Sequence, residues 1–378
     1  MSSLKLLTQA ATNNTPGNIA WSIGSPSDGY LLNDGAILDQ TTYAGLYQEV
    51  GLIQDGINVW TTRTSGTSSQ IRGLIYGNGL YVWGCNSTVL NTARIATSDD
   101  GFTWTIRSAS INNLGILRLH YQNGIYAFNA NDQFATSTDA IIWTTRTTQF
   151  GGGQPYGFIY DGTQYVLNGQ IGRVSTSTDA ITWTLVTTVP ITSFYDLAYG
   201  NGVYVGVGFT SVPSNTGYIA TSTDAITWTQ QSSQTSSSVL SVLYEATQSI
   251  FLATGNAGYL STSTDGVTWT VRSPGTTQNL SYPLYSTDDS IWMVAGTLGV
   301  LLTSTNAITW TARTIGTTST VYSLTYGNGL YLLGTAGVNG QNLRGTTFYT
   351  YNTATEFALP VGFNMCVDAT VSAYIKGD

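Results

Sequence analysis

Apolar and polar residues alternate along this chain in short runs broken by glycine and asparagine, the period of half-buried strands. Leu74-Ile75-Tyr76-Gly77-Asn78-Gly79-Leu80-Tyr81-Val82 shows the unit: two strand-forming segments joined by Asn-Gly, which tolerates positive φ and favours a tight hairpin. The hairpin recurs at 197–205 and 324–332, and more loosely at 119–128.

A second element follows each hairpin. Ser98-Asp99-Asp100-Gly101-Phe102-Thr103-Trp104 returns at 137–143, 177–183, 222–228, 263–269 and 304–310, the last with Asn306 in place of Asp. Its tryptophans are Trp104, Trp143, Trp183, Trp228, Trp269 and Trp310, spaced by 39, 40, 45, 41 and 41 residues. Each unit reads as four strands, A to D: hairpin A–B, a variable loop, strand C into the Ser-x-Asp turn, and strand D from the Trp. Four strands about every 40 residues predict a β-propeller, whose blades bury their faces against one another. Six units are complete, and a seventh begins near Val321 without a box of its own. The segment Val59-Trp60-Thr61-Thr62-Arg63-Thr64 matches Trp143-Thr144-Thr145-Arg146-Thr147 and is expected to complete that unit and close the ring. The expectation is an all-β, seven-bladed propeller over 56–349, with six blades as the alternative.

The repeated turn resembles the Asp box of sialidases and other propellers, shortened by one residue before the glycine. That resemblance implies a structural box away from the ligand site. Asp100, Asp139, Asp179, Asp224, Asp265 and Asn306 are therefore expected to hold turns together, and the tryptophans to pack between strands. Arg63, Arg107, Arg146, Arg272 and Arg313 each follow a box-type tryptophan by three residues, which reads as a solvated charge protecting an outer strand.

The flanks lack the repeat. Gly29-Tyr30-Leu31-Leu32-Asn33-Asp34-Gly35, then Thr41-Thr42-Tyr43-Ala44-Gly45-Leu46-Tyr47, resembles the start of phage tail-collar domains. Phe357-Ala358-Leu359-Pro360, about 300 residues later, is similar to that family's next landmark, with Val361 where the family has Asp. The resemblance implies a discontinuous collar-like base, 1–55 with 350–378, carrying the propeller as an insertion. It also implies a virion location in a phage tail, other tail or baseplate proteins as partners, and a homotrimer.

Composition narrows the chemistry. Only 8% of the residues are charged, against roughly 25% in ordinary domains. The net charge of −8 and the absence of a basic cluster argue against nucleic acid and anionic membranes. No apolar run approaches a membrane span of about 18 residues. Cys85 and Cys366 have neither metal nor redox spacing and read as free thiols made in a reducing host cytoplasm.

Catalytic groups are scarce. Glu49 and Glu356 fall in the flanks and Glu245 on an A–B turn. Asp132, Asp161, Asp196, Asp288 and Asp289 are the spare acids, of which Asp161, Asp288 and Asp289 read as turn residues. Once the outer-strand arginines are set aside, Arg72, Arg94, Arg118, Arg173 and Arg344 remain. The lone His120 reads as a core or cleft-lining residue. Neither catalytic residues, nor a metal, nor a cofactor is expected. What remains is recognition by the B–C and D–A loops, rich in Asn, Gln, Ser and Thr and carrying Phe150, Tyr156, Phe209 and Tyr282. Aromatic planes beside amides suit sugar rings, so a host-surface glycan is the expected ligand. A glycan-cleaving tail enzyme and a purely structural propeller are the alternatives.

Overall fold

The computed structural model describes residues 60–63, 65–86, 94–108, 115–189, 193–210, 216–336 and 343–347. It also describes short flanking strands at 7–9, 19–23, 30–31, 37–39, 356–358 and 363–367. The chain divides into two compact units, Val59–Thr346 and a second made of Met1–Asn58 with Thr347–Asp378.

Val59–Thr346 is an all-β propeller. Six blades are each one continuous stretch of four antiparallel strands in the order A-B-C-D. Blade I runs through strands Gln70–Gly77, Leu80–Asn86, Arg94–Ser98 and Thr105–Ser108. The A strands of blades II to VI are Arg118–Gln122, Pro155–Tyr160, Ser193–Gly200, Val239–Glu245 and Leu280–Ser286. A further four-stranded sheet is composite. Val321–Gly327, Leu330–Thr335 and Leu343–Thr347 take Thr61–Arg63 as their outer strand, with Arg344 opposite Thr62.

Local chemistry explains the hairpins. Asn78, Asn123, Asn201 and Asn328 sit at φ of 45–51°, each followed by a glycine at 74–80°. This is the mirror-image turn whose twist matches paired strands. The C–D turns are also uniform. In blade V, Ser263 Oγ donates to Asp265 Oδ1 (2.9 Å), which accepts from the amides of Val267 (2.8 Å) and Thr268 (2.7 Å). The same bonds recur at Asp100, Asp139, Asp179 and Asp224, and Asn306 Oδ1 reproduces them without a charge. Below the turn the indole Nε1 of Trp143, Trp228, Trp269 and Trp310 donates to the carbonyl three residues back. Trp104 and Trp183 pack without such a partner.

The core lies between blades. One cluster joins Val82 and Ile95 of blade I to Leu119, Phe128 and Ala135 of blade II, and others join II to III, III to IV, IV to V and V to VI. Leu330 and Leu332 of the composite sheet pack with Leu74, Tyr81 and Trp83 of blade I. A polar tie repeats at the start of strand B, where a side chain reaches the A–B turn of the preceding blade. Tyr126 donates to Gly77 O (2.6 Å), Trp292 Nε1 to Gln248 Oε1 (2.8 Å), and Tyr331 to Asp289 Oδ2 (2.5 Å). Tyr204 donates to Asp161, and Tyr81 of blade I donates to Gly327 O of the composite sheet. Asp161 and Asp289, spare acids by sequence, are thus acceptors for the next blade, and Asp288 accepts from Tyr326 (2.9 Å).

The outer arginines do not stand free in solvent as their register predicts: Arg107, Arg146, Arg272 and Arg313 each donate Nε–H to a strand-C threonine at 2.7–3.0 Å. Gln231 makes the equivalent bond to Thr221 (2.8 Å). Arg63 instead lies over the Phe102 ring of blade I, 3.8 Å from its centroid.

In the flanks, Ile19–Ile23 pairs in parallel with Phe363–Val367 and antiparallel with Leu7–Gln9, and Tyr30–Leu31 also pairs with Phe363–Val367. Ile37–Asp39 pairs with Glu356–Ala358. The two flanks therefore build their sheets together. The motif residues Asn33, Thr41–42, Tyr43, Pro360 and Val361 lie outside the described residues, as do Glu49 and the side chain of Cys366. Cys85 is a buried free thiol.

Candidate functional site

The innermost strands carry the site. Six of them contain a β-bulge near their start, between Ile71 and Gly73, Pro155 and Phe158, Phe194 and Asp196, Val239 and Ser241, Ser281 and Pro283, and Val321 and Ser323. A bulge inserts one residue against the partner strand and re-aims its side chain. The inserted residues are Arg72, Tyr195, Leu240, Tyr282 and Tyr322, with Tyr156 and Gly157 in blade III. Blade II is regular and opens on Arg118. Tyr282 is held at φ +55°, an uncommon conformation for an aromatic residue, and precedes Pro283, whose missing N–H is tolerated at a bulge.

These residues meet at the end of the ring where strands A begin. A cavity of about 220 Å³ is lined there by Arg72, Arg118, His120, Asp196, Ser241 and Tyr282, among others. The Arg72 guanidinium lies 4.7 Å from the centroid of Tyr322, and its Nε donates to Gln70 Oε1 (3.1 Å). Tyr156 meets Tyr195 edge-to-face at 5.4 Å, and Tyr195 meets Phe209 at the same distance. The Tyr156 hydroxyl donates to Gln154 Oε1 (3.1 Å) and accepts from Gln170 Nε2 (3.1 Å).

The charged centre is the Arg118–Asp196 pair, Nη1 to Oδ1 3.3 Å, with side chains 20% and 17% exposed. Arg118 Nη2 also donates to Leu240 O (3.4 Å). Asp196 accepts from the amides of Leu197 (3.0 Å) and Val242 (3.2 Å). Burial outweighs these interactions and holds the Asp196 carboxyl above its ordinary pKa, with Arg118 pulling the other way. His120 faces the Tyr156 carbonyl through Nε2 (2.9 Å). Burial, reinforced by Arg118, pushes its pKa down to about 3, so the ring is neutral at physiological pH and its Nε2 carries the donated proton. Two arginines against one aspartate leave the described lining with one net positive charge, inside a chain whose net charge is −8.

The four aromatic residues expected to bind ligand separate. Tyr156 and Tyr282 stand on innermost strands, Tyr282 in the cavity wall. Phe209 lies one residue before the end of strand B of blade IV and packs on Tyr195. Phe150, expected to bind ligand, does not face a site: at 1% exposure it packs with Phe134, Phe158 and Trp183 and offers no surface for stacking. It carries an apolar side chain on a loop folded back into the interface between blades II and III, which composition cannot distinguish from a loop facing outward. Much of the three longest loops, at 87–93, 211–215 and 337–342, lies outside the described residues. The residues not anticipated are Tyr195 and Tyr322, and the role of Arg72 and Arg118. Their signal was present: an arginine or tyrosine follows the apolar start of strand A in Ile71-Arg72, Phe194-Tyr195 and Val321-Tyr322.

No family model matches this chain, and no curated protein does. Solved structures supply the likeness. YCF48 bound to a D1 peptide superposes with a TM-score of 0.61 at 16% identity, over 80% of this chain and 99% of that one. YCF48 from Cyanidioschyzon merolae gives 0.59 at 12% identity, over 76% and 98%. A catalytically inactive virginiamycin B lyase from Staphylococcus aureus, solved with quinupristin, gives 0.64 at 10% identity, over 77% and 99%. At these identities the likeness extends to the propeller fold alone.

Proposed function

We propose that this protein is a non-catalytic recognition protein whose propeller binds a host-surface glycan at the mouth of its central channel. The carrying observation is the set of bulged tyrosines, Tyr195, Tyr282 and Tyr322 with Tyr156, gathered around Arg72 and Arg118. Tyrosine planes stack on the C–H faces of sugars while their hydroxyls and nearby amides meet sugar hydroxyls. Counted with its composite sheet, the ring has seven blades and is closed by Thr61–Arg63. The Ser-x-Asp turns act as Asp boxes, and the flanks serve as a collar-like base. On that resemblance the chain is a phage tail-fibre or baseplate component, assembled as a homotrimer with other tail proteins. Trimerisation would add avidity to weak single sites.

A non-catalytic role is supported by the lining: among its described residues Asp196 is the one carboxylate, whereas hydrolysis of a glycosidic bond ordinarily uses two. Glycan-array binding by the intact protein, lost at least tenfold in Tyr195→Ala and Tyr282→Ala with unchanged melting temperature, is the expected result. New reducing ends on incubation with host polysaccharide would favour the cleaving enzyme. A silent array would favour an assembly role.

A further inference from the structure

Arg118 is an anion-binding group that the fold already employs. Its contacts to Asp196 and to Leu240 O are single and long, at 3.3 and 3.4 Å, unlike a bidentate fork on one carboxylate. Asp196 keeps two other donors, the amides of Leu197 and Val242, so it does not depend on Arg118 for all its hydrogen bonds. Arg72 lies on the same cavity with its Nε committed to Gln70 and its plane on Tyr322. Among the described residues no acceptor meets its terminal nitrogens. The geometry is that of an anion site whose own carboxylate occupies part of it.

We infer that the channel mouth takes the carboxylate of an acidic sugar onto Arg118 and Arg72, sharing or displacing Asp196, and that Asp196 takes up a solvent proton as the ligand binds. The inference rests on the glycan reading and adds the ligand's charge and the coupling. No covalent bond changes. The ligand carboxylate stays ionised above about pH 5, and the proton comes to Asp196 from solvent.

The sign follows from linkage. A second negative charge beside Asp196 favours its neutral form, so binding takes up protons and affinity rises as pH falls. The groups facing Asp196 support this assignment. Arg118 comes from blade II, the Val242 amide and Ser241 from blade V, Tyr282 from blade VI and Arg72 from blade I, with Tyr195 on its own strand and Tyr156 beside it. The tyrosines are held above their ordinary range by burial, and His120 is already neutral, so none of these changes charge between pH 5 and 8. Asp196, held above the ordinary carboxylate range by burial, is the group placed to respond.

Calorimetric titration of the intact protein with an oligogalacturonate and the matching neutral galactose oligomer, from pH 5.5 to 7.5, tests this. The acidic sugar is expected to bind at least tenfold tighter than the neutral one, and more weakly at pH 7.5 than at pH 5.5. Heats measured in buffers of different ionisation enthalpy should show proton uptake by the unmodified protein, which needs no variant to fold. Asp196→Asn should bind the acidic sugar without that pH dependence. Arg118→Gln should lose the preference for the acidic sugar. Equal affinity for both sugars would overturn the inference while leaving the glycan reading intact. Tight acidic-sugar binding without proton uptake would overturn the coupling. Binding of an acidic peptide but of no sugar would overturn both readings.

Discussion

At the residue scale, one carboxylate per turn is repeatedly asked to replace missing backbone partners. Asp100, Asp179 and Asp224 are drawn down to about 2, and Asp139 and Asp265 in the same direction, chiefly by the two amides each accepts. A carboxyl whose folded pKa lies below its unfolded value of about 3.9 stabilises the fold above that value and ceases to as pH falls toward the folded pKa. The stabilisation from these turns is therefore lost between about pH 4 and pH 2. His120, lowered to about 3 from an unfolded value near 6.5, adds a shallower loss starting higher, because the unfolded chain binds its proton first. Asp196 has the opposite sign: its raised pKa costs stability as pH rises through it. Melting temperature is expected to fall steeply below pH 4, where the turn carboxylates take up protons. A melt unchanged down to pH 2 would contradict this. Asn306 indicates the remedy: Asp265→Asn should keep the turn at neutral pH and withdraw that turn from the acid transition, whereas Asp265→Ala should cost about 1 kcal/mol.

At the element scale, the outer strand is attached by the same side-chain bond in most blades, from an arginine Nε or, in blade IV, from Gln231 to a strand-C threonine. Because Gln231 makes the bond without a charge, the hydrogen bond, more than electrostatics, is what the position requires. Arg146→Gln is expected to leave thermal stability within about 0.5 kcal/mol of the parent, and Arg146→Ala to lose about 1 kcal/mol. Equal losses in the two variants would show that the arginine acts through its charge or its stem. This element also marks a limit of sequence reading. Repetition at one register located the five arginines on outer strands, but the threonines that partner four of them lie ten residues earlier, across a turn, and only the register of strands C and D brings them together.

At the scale of the whole molecule, the repeat was legible because each blade solves the same packing problem with the same residues. Asn-Gly hairpins and Ser-x-Asp turns declare themselves locally, and the match of 59–64 to a strand D was enough to anticipate its pairing with 343–345. The candidate site was less legible. It arises where six innermost strands each depart from regular pairing by a bulge, and the convergence of Arg72, Arg118, Tyr195, Tyr282 and Tyr322 exists only once the ring is formed. The loops looked like the recognising element because they vary, yet Phe150 on one of them is core, and the residues at the channel mouth belong to strands. The low charge content thereby acquires a local meaning: with few ionisable groups in the chain, two arginines and one aspartate at a single cavity stand out. The most direct test is a crystal structure of the intact protein with a bound acidic oligosaccharide. Sugar rings against Tyr195 and Tyr282 with a carboxylate on Arg118 are the expected result, and an oligosaccharide seated instead on the Ser-x-Asp turn face would overturn the assignment of the site.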